Sequence, residues 1–444
     1  MTLRTRRILF YGLTLVFIFI GTIVIFYSSG WRFDLETMQI NKLGALFFET
    51  ITPTDATITI DKNKFEFHQG FLQSGILIAN LFPKTYTVRI TKEGYQNWIK
   101  ELEVFPSLVT TAPPIVLLPE KPDLNKPLVN KIADFWVTPE HLITLASDGT
   151  LEFGGQKIIG NQIYKWSKTE NLIITTQKKG SYFLIDLDHP SSATNLSLIF
   201  ANLKPAKMRR AQIQSIDFHP LNENQFIIST TEGLFILNID KLALASIHEN
   251  PVSSLDINNA EIIFTDKNKI FLYNLTIDTK EFLTDKEFQD IRDIQISPSK
   301  YLVSLLEKNG QLYIFDRKSL NLTEIAENIS KAIFAPDSKK IAAIGNNKEL
   351  SIYYLADPNQ ESEKNEKPAH FNIGSIQEEA LSWHKNSNYL FIKYPSNLYL
   401  LEANNLLPIN FQMIDLENKK YQYGAGENSV YLLKNGSLYK LPLN

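Results

Sequence analysis

The chain contains no cysteine. Disulfides, thiolate zinc and iron–sulfur sites, a thiol nucleophile and a lipid-modified N-terminal cysteine are therefore excluded. It also lacks a charge surplus: 45 lysines and arginines face 48 aspartates and glutamates, for a formal net charge of −3. A nucleic-acid binder normally carries a net basic domain, so no nucleic-acid partner is expected. Histidine is scarce, with seven scattered copies, and His248-Glu249 runs into Asn250-Pro251 instead of completing a His-Glu-x-x-His zinc motif. None of the 19 glycines is followed by lysine, which removes the Walker A phosphate loop. No Gly-x-Ser-x-Gly elbow occurs either. Catalytic, cofactor-binding and metal-ligating residues are thus expected to be absent.

What is present begins with Ile8–Tyr27, a run of 20 residues without a charge. At ~1.5 Å per residue it reaches about 30 Å, the thickness of a bilayer hydrocarbon core. Arg4, Arg6 and Arg7 precede it, which by the positive-inside bias places residues 1–7 in the cytoplasm. The run exceeds the ~7–15 residues of a signal-peptide core, and Tyr27-Ser28-Ser29-Gly30-Trp31 offers no Ala-x-Ala cleavage pattern. The expectation is an uncleaved transmembrane signal-anchor helix at 8–27, single-pass in the cell membrane, with the bulk of the chain extracytoplasmic.

Residues 31–119 alternate polar and apolar side chains in short runs. Ala56–Ile60, Thr85–Ile90, Trp98–Phe105 and Ile115–Leu118 read as strands, separated by Asp61-Lys62-Asn63, Glu93-Gly94 and Pro113-Pro114. Such spacing predicts a small antiparallel β-sandwich. From Pro53 to Leu118 the segment resembles the PEGA domain. Pro53-Thr54-Asp55-Ala56 stands for the name tetrapeptide, Leu81–Val88 resembles the family's Pro-Gly-x-Tyr strand, and Lys92-Glu93-Gly94-Tyr95 is the best match. The resemblance implies a structural or binding module of cell-envelope proteins, without catalytic residues. Glu120–Asn130, polar and rich in proline, reads as a linker.

From about Lys131 to Asn444 a unit recurs. A short strand ends in an aromatic or branched residue, at Val137, Trp166, Phe218, Ile257, Ile296, Phe334, Trp383 and Tyr423, with intervals of 29, 52, 39, 39, 38, 49 and 40 residues. Pro139, Pro220, Pro298 and Pro336 follow two residues later, where a ladder must stop. Each unit then carries a hairpin whose turn pairs, such as Asp148-Gly149, Asn309-Gly310 and Asn435-Gly436, supply positive φ. A period near 40 with this content predicts a seven- or eight-bladed β-propeller. A β-solenoid is the alternative, but it leaves edges that a closed ring removes. The interval of 29 predicts an incomplete first blade closed by the C-terminal strand. Phe334–Ala342, with weaker copies at Asp217–Pro220 and Ile296–Pro298, resembles the repeat of TolB-like and WD40-like propellers.

The fold class expected is therefore all-β: a transmembrane helix, a PEGA-type sandwich and a propeller. Gly424-Ala425-Gly426 precedes a strand and is a turn, not a dinucleotide loop. Asp61-Lys62-Asn63-Lys64 and Asp266-Lys267-Asn268-Lys269 lack the glycine and glutamate of a calcium loop and are turns as well. His219 and His384, at equivalent places, are expected to cap strand ends rather than form a ligand pair. Trp166, Trp383 and Tyr423 are expected to pack between blades rather than stack sugars. Among residues flanking the key positions only Asp217 and Asp256 are acidic, too few for a channel enzyme of lyase or glycosidase type. A membrane-anchored scaffold that presents the propeller to an envelope protein or cell-wall glycan is preferred over that alternative. Two long connections, His189–Arg210 and Ala356–Gly374, are expected to emerge on one face and flank the docking surface, the first carrying Lys204, Lys207, Arg209 and Arg210 and the second Asp357, Glu361, Glu363 and Glu366.

Overall fold

The computed structural model describes residues 3–35, 38–67, 75–122, 124, 126–138, 140–167, 171–177, 180–284, 286–355, 367–372, 374, 381–415 and 417–443. Pro139 and most of the connection 356–374, including Asp357, Glu361, Glu363 and Glu366, lie outside these residues. The chain forms two compact units: residues 1–121 with 406–412 and 443–444, and residues 122–405 with 413–442.

The first unit opens with the helix Leu3–Ser28, long and apolar enough to cross a membrane and without a buried residue. The two threonines of its apolar run do not leave bare hydroxyls there. Thr14 and Thr22 donate to the carbonyls of Phe10 and Ile18 one turn back, each at 2.9 Å. Gly30, at φ +85°, ends the helix and turns the chain into the hairpin Trp31–Asp34/Gln39–Lys42.

Beyond the hairpin lie a four-stranded antiparallel sheet and a three-stranded mixed one. The first has the order Asn63–Phe67, Ala56–Ile60, Thr85–Thr91, Trp98–Glu103. The second has the order Val109–Ala112, Gly44–Phe48, Ile76–Leu81. Alternation buries Tyr86, Val88 and Ile90 and leaves Thr85, Thr87 and Arg89 in solvent. These side chains meet Leu46, Phe48 and the fully buried Trp98 in one core. Pairing departs from the purely antiparallel expectation: Val109–Ala112 runs parallel to Gly44–Phe48, and Ile115–Val116 parallel to Ile51–Thr52. Parallel neighbours need a long crossover, and the four-stranded sheet between them is that crossover. Lys100 is fully buried in this unit, with its Nζ donating to Leu406 O at 2.6 Å.

Among the described residues the second unit is a β-propeller of eight four-stranded antiparallel blades. Their first strands are Ile132–Val137, Gln162–Trp166, Ile213–Phe218, Leu255–Asn258, Ile291–Ile296, Ile329–Phe334, Leu381–Trp383 and Lys420–Gly424, which number blades 1 to 8. Second and third strands are the most apolar. Gln225–Thr230 and Tyr389–Lys393, for example, are buried along nearly their whole length, as strands covered on both faces must be. Each blade packs its apolar face on the next, as where Ile263 and Leu272 of blade 4 meet Ile294 and Val303 of blade 5.

Blade 1 is complete, contrary to expectation. The left-handed pair Gly154-Gly155, at φ +55° and +78°, joins its last two strands in a tight turn, which accounts for the short first interval. Closure occurs in blade 8 instead. Val129–Asn130, at the end of the segment read as a linker, pairs with Ser437–Pro442 and supplies that blade's outer strand.

The two long connections also differ from expectation. The first leaves the outer strand of blade 2 for blade 3 and contains the helix Leu196–Leu203, N-capped by Asn195 Oδ1 on Leu198 N at 2.9 Å. Leu196 and Phe200 are buried against Ile216, Phe226 and Phe235 of blade 3, so this insertion is core. The second joins the third and fourth strands of blade 6, between Tyr354 and Ala369. In an antiparallel blade, third-to-fourth and fourth-to-next-first connections leave from opposite ends. The strand ends that flank the two long connections therefore lie on opposite faces of the ring.

Candidate functional site

Every key position found in the repeats lies at or one residue before the end of a first strand, so Val137, Trp166, Phe218, Ile257, Ile296, Phe334, Trp383 and Tyr423 gather around one mouth of the ring. His219 and His384 follow directly. Leu221 N donates to His219 Nδ1 at 3.2 Å, and Asn386 N donates to His384 Nδ1 at 3.3 Å. Each imidazole thus caps its own turn, and the two stand four blades apart. His384 Nε2 lies 2.9 Å from Asn428 Oδ1 in blade 8, which fixes the proton on Nε2 because Nδ1 is already an acceptor. Burial lowers the pKa of both histidines below the ordinary range and keeps them neutral.

Aromatic side chains at this mouth join blades. Trp383 Nε1 donates to Ile333 O of blade 6 at 3.1 Å. The Tyr423 ring stacks on His384 at 5.0 Å and lies 4.8 Å from Phe391, and burial pushes its phenol up to about 12. Trp166 is half-buried in the cluster between blades 1 and 2.

One recurrent feature escaped the sequence analysis. In blades 1, 2, 3, 5 and 6 the first pairing shifts register at the same place, after Ile132, Ile163, Ile213, Ile291 and Ile329. A β-bulge re-aims the residue that follows it, here Asp134, Lys165, Ser215, Asp293 or Lys331. The signal is legible as isoleucine, one residue, then a polar residue, once in each of these five blades.

Polar side chains on the first strands bind the neighbouring blade. Lys165 pairs with Asp217. Asp256 accepts from Ile296 N at 2.7 Å, and Gln295 donates to Ala332 O at 2.8 Å. Gln422 Oε1 accepts from Val137 N at 2.8 Å, and Lys420 reaches Asp134 at 2.7 Å, closing blade 8 on blade 1. An inner strand has one ladder edge unpaired, and a buried unpaired amide costs ~1–3 kcal/mol, so these side chains satisfy a structural demand. Asp217 and Asp256, the acids singled out above, are both engaged across blade junctions, Asp217 by the Lys165 ammonium and Asp256 by the Ile296 amide.

Two clefts remain along the first strands. One, of about 400 Å³, is lined by Lys165, Trp166, Asp217, His219, Asp256 and Asn258. The other, of about 690 Å³, is lined by Trp383, Lys385, Lys419, Lys420, Tyr421 and Tyr423, with no carboxylate in its wall. Such a wall can hold an anionic group. Elsewhere, His248 Nε2 lies 3.0 Å from Asp266 Oδ2, with the imidazole packed against Phe264 and Phe271 at the junction of blades 3 and 4. Among the described residues no group of three or more His, Asp or Glu could hold a metal ion.

No protein-family model matches the sequence, and no curated protein does. Solved structures with a similar fold are propellers. Hsv2p of Kluyveromyces lactis is 12% identical with a TM-score of 0.44, the alignment covering 65% of this chain and 100% of that one. The propeller domain of Cps50 (Swd1) from Myceliophteria thermophila is 9% identical with a TM-score of 0.41, over 64% and 97%. PorZ, a surface component of the type-IX secretion system of Porphyromonas gingivalis, is 12% identical with a TM-score of 0.41, over 69% and 42%. The propeller assignment of the second unit rests on its own four-stranded sheets.

Proposed function

We propose that the chain is a membrane-anchored binding scaffold of the cell envelope, holding its propeller outside the membrane for a protein or cell-wall glycan partner. The observation that carries this is the engagement of the polar side chains at the propeller's centre. Asp217, Asp256, His219 and His384 are all bound in turns or blade junctions, which among the described residues engages the acids and histidines that the repeats bring to the mouth. The single N-terminal apolar helix behind Arg4, Arg6 and Arg7 supports the anchor.

Two backbone details support the family resemblances. Asp55, at the glycine place of the PEGA tetrapeptide, has φ +63°, and Ser338, at the glycine place of the TolB-like repeat, has φ +64°. Both keep the left-handed turn that glycine ordinarily makes.

The test has two arms on the full-length, epitope-tagged chain. Protease added to intact spheroplasts is expected to destroy the propeller, with the helix retained at the mature N-terminus. Capture from detergent-solubilised envelope is expected to retain a partner, and glycan digestion beforehand decides whether it is glycan or protein. A protease-protected propeller, or hydrolytic or lyase turnover of envelope glycan by the purified chain, would overturn the proposal.

A further inference from the structure

Two groups of exposed large apolar side chains in the first unit lie near the end of the helix in the chain's hydrogen bonding. The hairpin after the helix presents Phe33, Leu35, Met38 and Ile40, with Leu35 81% exposed. A second group sits on the turn Phe105–Val109, where Phe105, Leu108 and Val109 are all exposed, Leu108 at 60%. Far apart in sequence, the two groups meet through Leu43. Leu43 N donates to Gly30 O at 3.0 Å, at the end of the helix. Ser107 N donates to Leu43 O, and Ala45 N to Leu108 O, both at 3.1 Å. Gly44 lets the turn come this close, because a Cβ there would stand 2.3 Å from Phe105 O. The hairpin and the turn are therefore both tied to the last residues of the apolar helix.

Scattered apolar residues on a surface need no explanation, but a contiguous patch does. Here its position supplies the occupant. Tyr27 and Trp31 stand at the helix exit, where amphipathic rings mark a membrane–water boundary. Arg32 stacks on Tyr27 at 3.3 Å and donates to Tyr27 O and Trp31 O, keeping its charge at that level. Lys42 lies 5.3 Å from the Trp31 ring, a second cation at the same height. Exposed apolar side chains next to aromatic rings and cations are the composition of an interfacial element.

We propose that the hairpin strands Trp31–Asp34 and Gln39–Lys42, with Leu35 and Met38 beside them, and the turn Phe105–Val109 form a collar bedded in the lipid headgroup and upper acyl region around the helix exit. The inference rests on the reading that the helix Leu3–Ser28 spans the membrane. Its consequence is a first unit held at a fixed height on the bilayer rather than swinging on one helix.

Because the chain has no cysteine, single-cysteine spin labelling tests this in the full-length protein. Leu35→Cys and Leu108→Cys are labelled with a nitroxide and reconstituted in phosphatidylethanolamine/phosphatidylglycerol vesicles. Phe17→Cys marks the helix centre and Leu320→Cys, at a propeller position 74% exposed, marks water. Collision with oxygen, which partitions into lipid, is compared with collision with a water-soluble nickel chelate. The labels at 35 and 108 are expected to give an oxygen-to-nickel ratio several-fold above that at 320 and nearer to that at 17. A ratio equal to that at 320, with 17 immersed, refutes the collar and leaves the anchor standing. Shielding from both reagents at 35 and 108 also refutes it, since protein and not lipid would then cover the patch. An aqueous label at 17 refutes the anchor itself, and the collar with it.

Discussion

Replacing Asn130 and Ser437 together with cysteine tests how the propeller closes. The two residues are register partners in blade 8, and Ser437 Oγ lies 2.8 Å from Asn130 Oδ1. Opposed residues of an antiparallel pair have Cα atoms ~4.5–5.5 Å apart, inside the window a disulfide requires. With no native cysteine, only the intended bond can form within the chain. The positions are 307 residues apart, and the chain-entropy relation for so long a loop gives about 5.7 kcal/mol at 25 °C. Engineered disulfides usually deliver less, so ~3 kcal/mol is expected. At about 2 °C per kcal/mol for a unit of this size, the oxidised Asn130→Cys/Ser437→Cys protein should melt ~6 °C above its reduced form. Thermal unfolding of the full chain in detergent, with and without reductant, reads this directly, and each single variant should show no redox effect. If the pair fails to oxidise, or oxidation leaves the midpoint unchanged, Val129–Asn130 is not the closing strand.

Phe200→Ala removes a ring buried against blade 3, and a loss of ~3–5 kcal/mol is expected; an unchanged melting midpoint would show that the insertion 196–203 is dispensable after all. His219 and His384 are held neutral by burial, their folded pKa values lying below the unfolded one. The stability this carries is complete above about pH 6.5 and declines as pH falls below it, because the unfolded imidazoles then take up protons first. Melting midpoints between neutral and mildly acidic pH should show this slope, and the double variant His219→Gln/His384→Gln should flatten it; a variant with the full slope would place the titration elsewhere. Gly44→Ala should destabilise the first unit by ~1–3 kcal/mol, because Val104 and the Phe105 carbonyl stand within 2.6 Å of the new Cβ and must move. Wild-type stability in that variant would mean that the turn adjusts freely.

Local chemistry made the propeller legible. Asn435-Gly436 has both residues left-handed, as its hairpin turn requires, and the key residues at strand ends fall into register around the ring. The capping of His219 and His384 followed from where the strand stops. Closure was not legible, because Val129–Asn130 is a two-residue strand in a polar stretch and carries no period of its own. Parallel pairing of Val109–Ala112 with Gly44–Phe48 was equally hidden, since it joins segments some 60 residues apart and alternation says nothing about direction. The helix Leu196–Leu203 did leave a trace: Asn195 before it is a good N-cap, and Leu196 and Phe200 are spaced i, i+4. Its surplus length in a repeat of strands drew the eye to loops instead. At the candidate site, residue types could be named from the repeats, but their engagement could not. Asp256 and Gln422 look available in sequence, and only the neighbouring blade shows that they satisfy its backbone.

The closing strand also sets an order of events in synthesis. Val129–Asn130 leaves the ribosome roughly 300 residues before Ser437–Pro442, the segment it must pair with. Blades 1 to 7 are each built from contiguous chain and can form as they emerge, whereas blade 8 waits for both ends. Its formation is the step of longest sequence separation in the propeller, the kind that folds slowly. Until then the ring is an open stack with an unpaired edge at each end, free to pair with another copy. A nascent chain halted anywhere before residue 437 would remain in that state, and quality control would meet the molecule there rather than in any of its finished blades.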